Sequence, residues 1–258
     1  MKKKIILIMG LPGSGKTTIA KKIVNILKAD WLNADKIRGK YNDWDFSRSG
    51  IIRQVKRMKD LAKSSNNKYV VADFVCPMHD QIKIFKPDFI FWMDTIKKSR
   101  FKSMNNQFKK PKKFDLRITS QNVELWKYLI IDKIIKYKWN NKSATSQMLG
   151  RYQPWHLGHR TLFENIFEKY GQVNIQVKDV NGLGDNPFTF NQIKKKIIKD
   201  LKDFKNRIKV TKSPNIVEIN YGRTVGYKIK KINLSKKIQS ISATKIRNTL
   251  RKKIKRLK

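Results

Sequence analysis

The stretch IILIMGLPGSGKTTIAKKIVNIL at residues 5–27 constrains the fold of this chain more than any other. It opens with a short continuous apolar run at 5–9, which is typical of a strand buried in a parallel sheet. The segment GLPGSGKT at 10–17 follows and fits the pattern G-x-x-x-x-G-K-[ST]. Apolar residues then recur at helical spacing as far as Leu27. A strand, a glycine loop and a helix in this order predict a phosphate-binding loop in a parallel α/β domain.

Each part of this loop has a chemical task. Glycines allow backbone N–H groups to turn towards phosphate oxygens, and the following helix adds the positive end of its dipole. We expect Lys16 to reach the β- and γ-phosphates and to act in catalysis, and the Thr17 hydroxyl to ligate Mg²⁺. The predicted ATP-binding residues are Gly10, Gly13, Ser14, Gly15, Lys16, Thr17 and Thr18.

Strand and helix patterns alternate through the rest of the first half. Two apolar runs, KYVVADFVCP and DFIFWMDT, are separated by helical segments, which predicts a three-layer α/β domain with a parallel sheet. Ligands of such sheets bind at the carboxyl ends of the strands, and this draws attention to Asp35, Asp73 and Asp94. Asp73 is a candidate for water-mediated Mg²⁺ binding or for a cap at the end of its strand.

The order of these motifs resembles the adenylylsulfate kinase family over residues 1–125. The likeness runs through the phosphate loop, NADKIR, DFS, a basic helix, DFVCP and MDT. It implies a P-loop NTPase fold and the transfer of a phosphoryl group from ATP to a hydroxyl acceptor. In that family the second acid of the D-G-D-N-x-R segment assists the nucleophile or the metal, which implies a catalytic role for Asp35. The implied acceptor-binding residues are Arg38, Phe46, Arg53 and Arg57.

Several positions depart from this family pattern. Asn33 replaces the first acid, Ile51 stands where an arginine is expected, and SRFKSMNNQFKKP replaces the lid motif D-P-K-G-L-Y. The identity of the acceptor is therefore left open. Other roles also stay open for single residues: an exposed acid or helix cap for Asp35, core packing for Phe46, and solvated basic faces for the arginines.

A change of composition divides the chain. Apolar residues at helical spacing over residues 119–138 predict an amphipathic helix that packs on the first domain. The segment KWNNKSATSQ then turns to small and polar residues, which places a boundary near Asn141. We expect one domain at residues 1–141 and a second at residues 142–258.

The second half restarts the pattern of strand, turn and helix at QMLGRYQPWHLGHRTLFENIFEKYG. His156 and His159 lie where the helix begins and can donate hydrogen bonds to phosphate oxygens. Much later, ISATKIRNTL places two hydroxyls and a guanidinium at the predicted start of another helix, with Ser242 as its cap. These two segments together predict a second anion site. A zinc site is not expected, because no third ligand of a suitable type lies near the histidines.

This pair of segments resembles the H-x-G-H nucleotidyltransferases over residues 146–252, in the version found in the archaeal type of nicotinamide-nucleotide adenylyltransferase. NPFTF at 186–190 also resembles a segment of that group, although capping of the next helix is the favoured role of Asn186 and Thr189. The resemblance implies a Rossmann-like fold and nucleotidyl transfer, with His156 and His159 as catalytic residues. The implied nucleotide-binding residues are Gly150, Arg151, His156, Gly158, His159, Ser242, Thr244 and Arg247. Arg151 alternatively supplies only a surface charge.

The net charge of +41 on 258 residues is extreme, but the lysines are scattered along the whole chain. A nucleic-acid partner is compatible with this charge, whereas solvated basic faces and sites for anionic ligands are the favoured explanation. Cys76 is the single cysteine, which excludes an internal disulfide and suits a cytoplasmic protein. The apolar run near the N-terminus is too short for a signal peptide, and no stretch is long enough to cross a bilayer. A homo-oligomer is compatible with the sequence.

The leading hypothesis is therefore a bifunctional enzyme. The first domain phosphorylates a small anionic hydroxyl acceptor with ATP, and the second transfers an adenylyl or cytidylyl group from a nucleoside triphosphate, with Mg²⁺ at both sites. A narrower version makes phosphoadenylyl sulfate, with the second domain acting as a sulfurylase. The competing hypothesis is a nucleic-acid-binding or repair protein with polynucleotide kinase-like activity.

Overall fold

The computed structural model of the chain describes residues 2–220, 222, 226 and 228–255. Its backbone contacts divide the chain into two compact units, Met1–Lys136 and Tyr137–Lys258. The amino-acid composition places the boundary slightly later, near Asn141. Composition alone does not show that residues 137–140 make their contacts with the second unit. The buried amide of Gln172 accepts from the Tyr137 hydroxyl at 2.8 Å and donates to the Asn140 carbonyl at 2.9 Å. These bonds attach the start of the polar segment to the second unit.

The first unit is a parallel α/β fold, as the sequence predicts. Its described strands are β1 (Lys4–Gly10), β2 (Asp30–Asn33), β3 (Tyr69–Phe74), β4 (Phe89–Met93) and β5 (Leu116–Ile118). Its described helices are α1 (Lys16–Leu27), α2 (Ala34–Lys40), α3 (Arg48–Ser64), α4 (His79–Phe85), α5 (Lys102–Gln107) and α6 (Val123–Ile135). The strands pair in the order β2-β3-β1-β4-β5, and every pairing among them is parallel.

Both faces of this sheet are covered. Alternate residues of β1 point to opposite faces, so Leu7 and Met9 belong to one apolar cluster while Ile6 and Ile8 belong to the other. Helices α2, α3 and α4 contribute to the first cluster, and α1 and α6 contribute to the second. The first unit therefore has the three layers that the sequence predicts, and α6 packs on it as expected.

The strand register brings distant residues to one edge of the sheet. Ile8 of β1 pairs with Asp73 of β3, and Asn33 of β2 pairs with the same aspartate. Because these strands are parallel, their carboxyl ends meet at the same edge, where the glycine loop of residues 10–17 leaves β1. The fold therefore assembles its polar residues around that loop.

The second unit also contains a parallel sheet. Its described strands, β6 (Ser146–Gly150), β7 (Val173–Lys178) and β8 (Ile208–Ser213), pair in sequence order. Its described helices are α7 (Leu157–Tyr170), α8 (Phe190–Asp200), α9 (Lys236–Gln239) and α10 (Ala243–Lys255). Buried and half-buried residues alternate along β7, and the rings of Phe163, Phe167 and Phe204 pack together with centroids 4.9 to 5.5 Å apart. The Rossmann-like nucleotidyltransferase fold of this unit stays a prediction.

Within the described part of the chain, the helices are too short or too polar to span a bilayer.

Candidate functional site

The glycine loop adopts a backbone that only glycines accept easily. The φ angles of Gly10, Gly13 and Gly15 are 150°, 82° and 91°, in the region that disfavours other residues. A Cβ atom added to Gly10 would lie 2.5 Å from the carbonyl oxygen of Met93, so this position also needs glycine for lack of space. The sequence motif thus reflects a tight turn packed against β4.

The loop delivers the start of α1 and the Lys16 side chain to one place. Gly15 is the N-cap residue of α1, so no side chain caps the helix and its first N–H groups stay available to an anion. Lys16 is buried, and its Nζ donates to the carbonyl oxygen of Leu11 at 2.8 Å. Burial lowers the pKa of Lys16 to about 8, although the charges of Asp73 and Asp35 oppose this shift.

Asp73 lies directly beside the loop. It is 2 % exposed and accepts from the Thr17 hydroxyl at 2.8 Å, from the Trp31 indole at 2.7 Å and from the Asn33 amide at 3.0 Å. Burial raises the pKa of Asp73, while these three hydrogen bonds and the charge of Lys16 lower it. Asp73 is thus tied into a network rather than serving only as a strand-end cap.

A hydroxyl and a carboxylate are the oxygen ligands that Mg²⁺ prefers, so Thr17 and Asp73 fit this ion. No group of three or more His, Cys, Asp or Glu side chains suited to a metal occurs among the described residues. In nucleotide sites Mg²⁺ is generally held by substrate phosphates and water together with one or two protein carboxylates.

Asp35 lies in the first turn of α2 and is exposed. It does not cap the helix, because the side chain of Asn33 accepts from the backbone N–H of Lys36 at 3.0 Å and takes that role. Asp94, at the end of β4, accepts from the guanidinium of Arg117.

A cavity of about 1190 Å³ joins these elements on the first unit. Of the residues predicted from sequence, it brings together Gly13, Gly15, Lys16, Thr17, Thr18, Asp35, Arg38, Phe46 and Asp73. The side chain of Phe46 is 51 % exposed at the cavity wall, so the core-packing alternative is wrong for this residue. The cavity thus extends from the phosphate loop to the region predicted for the acceptor.

Two predicted acceptor-binding arginines, Arg53 and Arg57, pair with a carboxylate of the first unit. Arg53 and Arg57 do not line this cavity. Arg53 donates to both carboxylate oxygens of Asp43 at 2.9 and 2.8 Å, and Arg57 donates to the same carboxylate at 3.0 Å. These guanidinium groups hold Asp43, and the pKa of Asp43 lies well below its usual value, chiefly because of the Arg53 hydrogen bonds. Acceptor binding by Arg53 and Arg57 stays a prediction.

Arg38 both lines the cavity and binds the loop that precedes α3. It is 5 % exposed and donates to the carbonyl oxygens of Asp43 and Asp45 at 2.9 and 3.0 Å. Its guanidinium also lies 4.7 Å from the centre of the Phe46 ring. Arg38 therefore fixes the loop that carries Phe46, in addition to lining the cavity.

Sequence reasoning missed several residues of the cavity wall. Trp44 and Phe101 are half exposed at the wall, and the buried residues Cys76 and Gln81 also line it. None of them belongs to a motif that specifies a chemistry. The one available indication was that the segment after β3 leads from a buried strand into the edge of the sheet where ligands bind.

The two histidines of the second unit lie at the start of α7. His156 is the N-cap residue, its Nδ1 accepts from the N–H of Gly158 at 3.1 Å, and Nδ1 of His159 accepts from the N–H of His156 at 3.3 Å. The rings stack at 3.8 Å. Burial lowers the pKa of His159 to about 3, with a further contribution from His156, so the ring is neutral near pH 7. Because both Nδ1 atoms accept, each neutral ring carries its proton on Nε2 and can donate it.

The two motifs of the second unit meet in the structure. Ser242 directly precedes α10, and Arg247 of that helix donates to the carbonyl oxygen of Gln153 and to the Thr244 hydroxyl. A Cβ atom on Gly158 would lie 3.7 Å from the carbonyl oxygen of Ile238, so the segment before α10 also packs close to α7. Two segments that are more than eighty residues apart in sequence are thus in contact in the structure.

The remaining predicted residues have simpler placements. Gly150 ends β6 beneath the Tyr152 ring, Arg151 is exposed, and Thr189 caps α8 in a capping box with Gln192. Asn186 donates instead to the carbonyl oxygen of Leu183 at 2.5 Å, so its predicted capping role is wrong.

Comparison with known proteins bears on the first unit. Residues 2–87 match the protein-family model described as Adenylylsulphate kinase. A mutant APS kinase from Mycobacterium tuberculosis is 22 % identical in sequence, covers 52 % of this chain and 97 % of its own, and gives a TM-score of 0.44. Shikimate kinase from Acinetobacter baumannii, in complex with shikimate, is 14 % identical, covers 52 % of this chain and 94 % of its own, and gives a TM-score of 0.41. No curated protein matches the chain.

The family match covers the glycine loop, Asp35 and Asp73, which are the residues that the fold gathers at one edge of the sheet. The N-terminal part of the chain is an adenylylsulfate kinase-like P-loop kinase domain.

Proposed function

We propose that the first unit transfers the γ-phosphoryl group of ATP to a hydroxyl group of a small anionic acceptor that is similar to adenylylsulfate. The observation that carries this proposal is the single cavity that Lys16, Thr17, Asp35 and Phe46 share. A phosphate loop with no cavity beside it could bind a nucleotide but would leave no room for an acceptor. Here the space continues past the loop, so donor and acceptor groups can lie side by side.

Different residues of the cavity serve the phosphates of ATP, the metal ion and the acceptor hydroxyl in this transfer. The open N–H groups of α1 and the Lys16 ammonium bind the β- and γ-phosphates and stabilise the charge that develops on the transferred group. Thr17 and Asp73 would hold Mg²⁺, which would supply positive charge to neutralise the phosphates. Asp35, exposed at the cavity wall, accepts the proton of the attacking hydroxyl or orients it.

For the second unit we propose nucleotidyl transfer, with ATP or CTP as the donor. The supporting observation is the meeting of two distant motifs, in which Arg247 reaches Gln153 three residues before His156. In this reaction a phosphate oxygen of the acceptor attacks the α-phosphorus, the bond between the α- and β-phosphates breaks, and pyrophosphate leaves. Neutral His156 and His159 donate from Nε2 to phosphate oxygens, and Arg247 balances the charge of the leaving group.

The net charge of +41 is compatible with one competing function, the binding and phosphorylation of polynucleotide ends. Its signature is retention on DNA or RNA that falls steeply with salt, because several phosphate contacts release counterions.

The proposal is tested by a screen of small hydroxyl and phosphate acceptors, adenylylsulfate among them, with ATP or CTP labelled in either the γ- or the α-phosphate. Transfer of the γ-label to a small hydroxyl acceptor supports the kinase, and transfer of the α-label to a phosphate acceptor with release of pyrophosphate supports the nucleotidyltransferase. Transfer of the γ-label only to DNA or RNA ends contradicts the small-molecule kinase and supports the competing function.

A further inference from the structure

Gln81 has no hydrogen-bond partner for its side chain in the described structure. It lies in α4, is 0 % exposed, and contributes to the wall of the cavity that contains Lys16. Neither its Oε1 nor its Nε2 finds a partner among the described residues. Gln54, which lines the same cavity at 4 % exposure, uses both amide atoms: Nε2 donates to the Ala34 carbonyl at 3.2 Å, and Oε1 accepts from Arg57 at 2.6 Å.

A buried amide without a hydrogen-bond partner lowers the stability of the folded protein, because the amide gives up hydrogen bonds to water and forms none to the protein. Buried polar groups of natural proteins almost always have partners, and each exception calls for an explanation, among which a role towards a bound molecule suits a residue at a cavity wall. The backbone close by is also strained, since buried Cys76 has a φ angle of 49°, in the left-handed region. Both features occur on the segment that follows β3.

The surroundings indicate what the amide would bind. The wall of the same cavity includes the buried apolar residues Ile51, Val55, Phe74 and Cys76. A charged group is costly in such a place without an ion-pair partner. A glutamine amide offers one donor and one acceptor side by side, so its complement is a neutral planar group with the same pair reversed.

We propose that Gln81 determines acceptor specificity by pairing with a neutral donor–acceptor edge of the acceptor, as a carboxamide or a nucleobase provides. The proposal rests on the kinase function proposed above and adds a substrate class to it. In the ligand-free protein the amide is covered, and its rotatable side chain turns into the cavity when the acceptor enters. The acceptor therefore carries its anionic group away from this wall and its neutral ring or amide against it.

A stability comparison tests the unpartnered state of the amide. Gln81→Met replaces it with an apolar side chain of similar length, so the melting temperature of the full-length protein stays constant or rises. The matched control, Gln54→Met, breaks two hydrogen bonds and lowers the melting temperature. An equal loss of stability in both variants would show that Gln81 is bonded in solution, for example to a structural water, and would overturn the inference.

A binding experiment tests the substrate class. Affinities of two probe pairs are measured by calorimetry, with Mg²⁺ and a non-hydrolysable ATP analogue present: adenosine against purine riboside, and nicotinamide riboside against nicotinic acid riboside. In at least one pair, the first probe binds about ten-fold more tightly to the unmodified protein, and Gln81→Met removes that preference. The inference is overturned if neither pair is discriminated or if the variant keeps the preference.

The two proposals fail in different ways. If no γ-label reaches any small acceptor, the kinase function is wrong. If the label moves but Gln81→Met leaves the probe preferences unchanged, the kinase stands and the role of Gln81 is wrong.

Discussion

The hydroxyl of Thr17 donates to Oδ2 of Asp73 at 2.8 Å, across 56 positions of sequence. This bond joins the start of α1 to the end of β3, because β1 and β3 are parallel neighbours. It also places a hydroxyl and a carboxylate next to the phosphate loop, which is the arrangement that a phosphate-bound Mg²⁺ ion needs.

Asp73→Asn removes the negative charge beside Thr17 with little change in volume. We expect the Mg²⁺ concentration for half-maximal phosphoryl transfer to rise by about ten-fold or more, because the ion loses its electrostatic partner. Titration of activity with Mg²⁺ measures this effect. Asp88→Asn is the control, since Asp88 pairs with Lys4 and does not line the cavity. Equal Mg²⁺ requirements in the Asp73 variant and the control would contradict the metal assignment.

The phosphoryl transfer rate should depend on the protonation of Lys16. Its pKa is lowered to about 8 in the free protein, so the ammonium is present below pH 8 and is lost as the pH rises above it. We therefore expect kcat/KM for ATP, which reports the free enzyme, to fall by up to about ten-fold per pH unit above this value. Bound triphosphate favours the charged form, so kcat declines at a higher pH. A profile of kcat/KM that stays flat between pH 7 and about 10 would contradict this role.

Asp185 forms an ion pair with Arg247, the arginine that we propose binds the triphosphate in the second unit. Its carboxylate accepts from Nε of Arg247 at 2.8 Å and from Arg251 at 2.5 Å. Asp185→Asn weakens this competition, so we expect ATP or CTP to bind several-fold more tightly. Calorimetry on the Lys16→Ala background reads the second site alone. Asp179→Asn is the matched control, because Asp179 is similarly exposed and forms an ion pair with Lys212 rather than with Arg247. Unchanged or weaker binding in the Asp185 variant would refute the competition.

The His159 ring should stay neutral throughout the physiological range. Its pKa is lowered to about 3 by burial and by His156, so its NMR signals should not shift between pH 5 and 8. Comparison with the spectrum of His159→Gln assigns the signals. A titration of His159 near pH 6.5 would mean that the ring is open to water and would contradict the geometry of the α7 start.

Local patterns predicted much of this fold because they record local physics. The glycines of residues 10–17 match a turn that needs positive φ angles, and the apolar runs match β1, β3 and β4. The parallel order of those strands follows from the alternation of strand and helix. Lys16, Thr17 and Asp73 could therefore be placed at one edge of the sheet before any contact was known.

Other parts of the site depend on contacts between distant residues that no motif encodes. Arg53 and Arg57 match basic positions of a family, yet the loop before α3 folds back and gives both of them Asp43 as a partner. The isolation of Gln81 likewise depends on which side chains surround it, as does the pairing of Asp185 with Arg247. Sequence spacing predicts which residues share an edge of a sheet, but not which of them are already paired.

The central claim is that this chain has two independent triphosphate sites, one at Lys16 and one at the two histidines. The most direct measurement is the number of triphosphates bound per chain at saturation with a mixture of non-hydrolysable ATP and CTP analogues in the presence of Mg²⁺. We predict two sites in the unmodified protein, the loss of the first in Lys16→Ala and the loss of the second in His159→Ala. A single site in the unmodified protein, or the loss of both sites in either variant with its circular dichroism spectrum unchanged, would contradict the account.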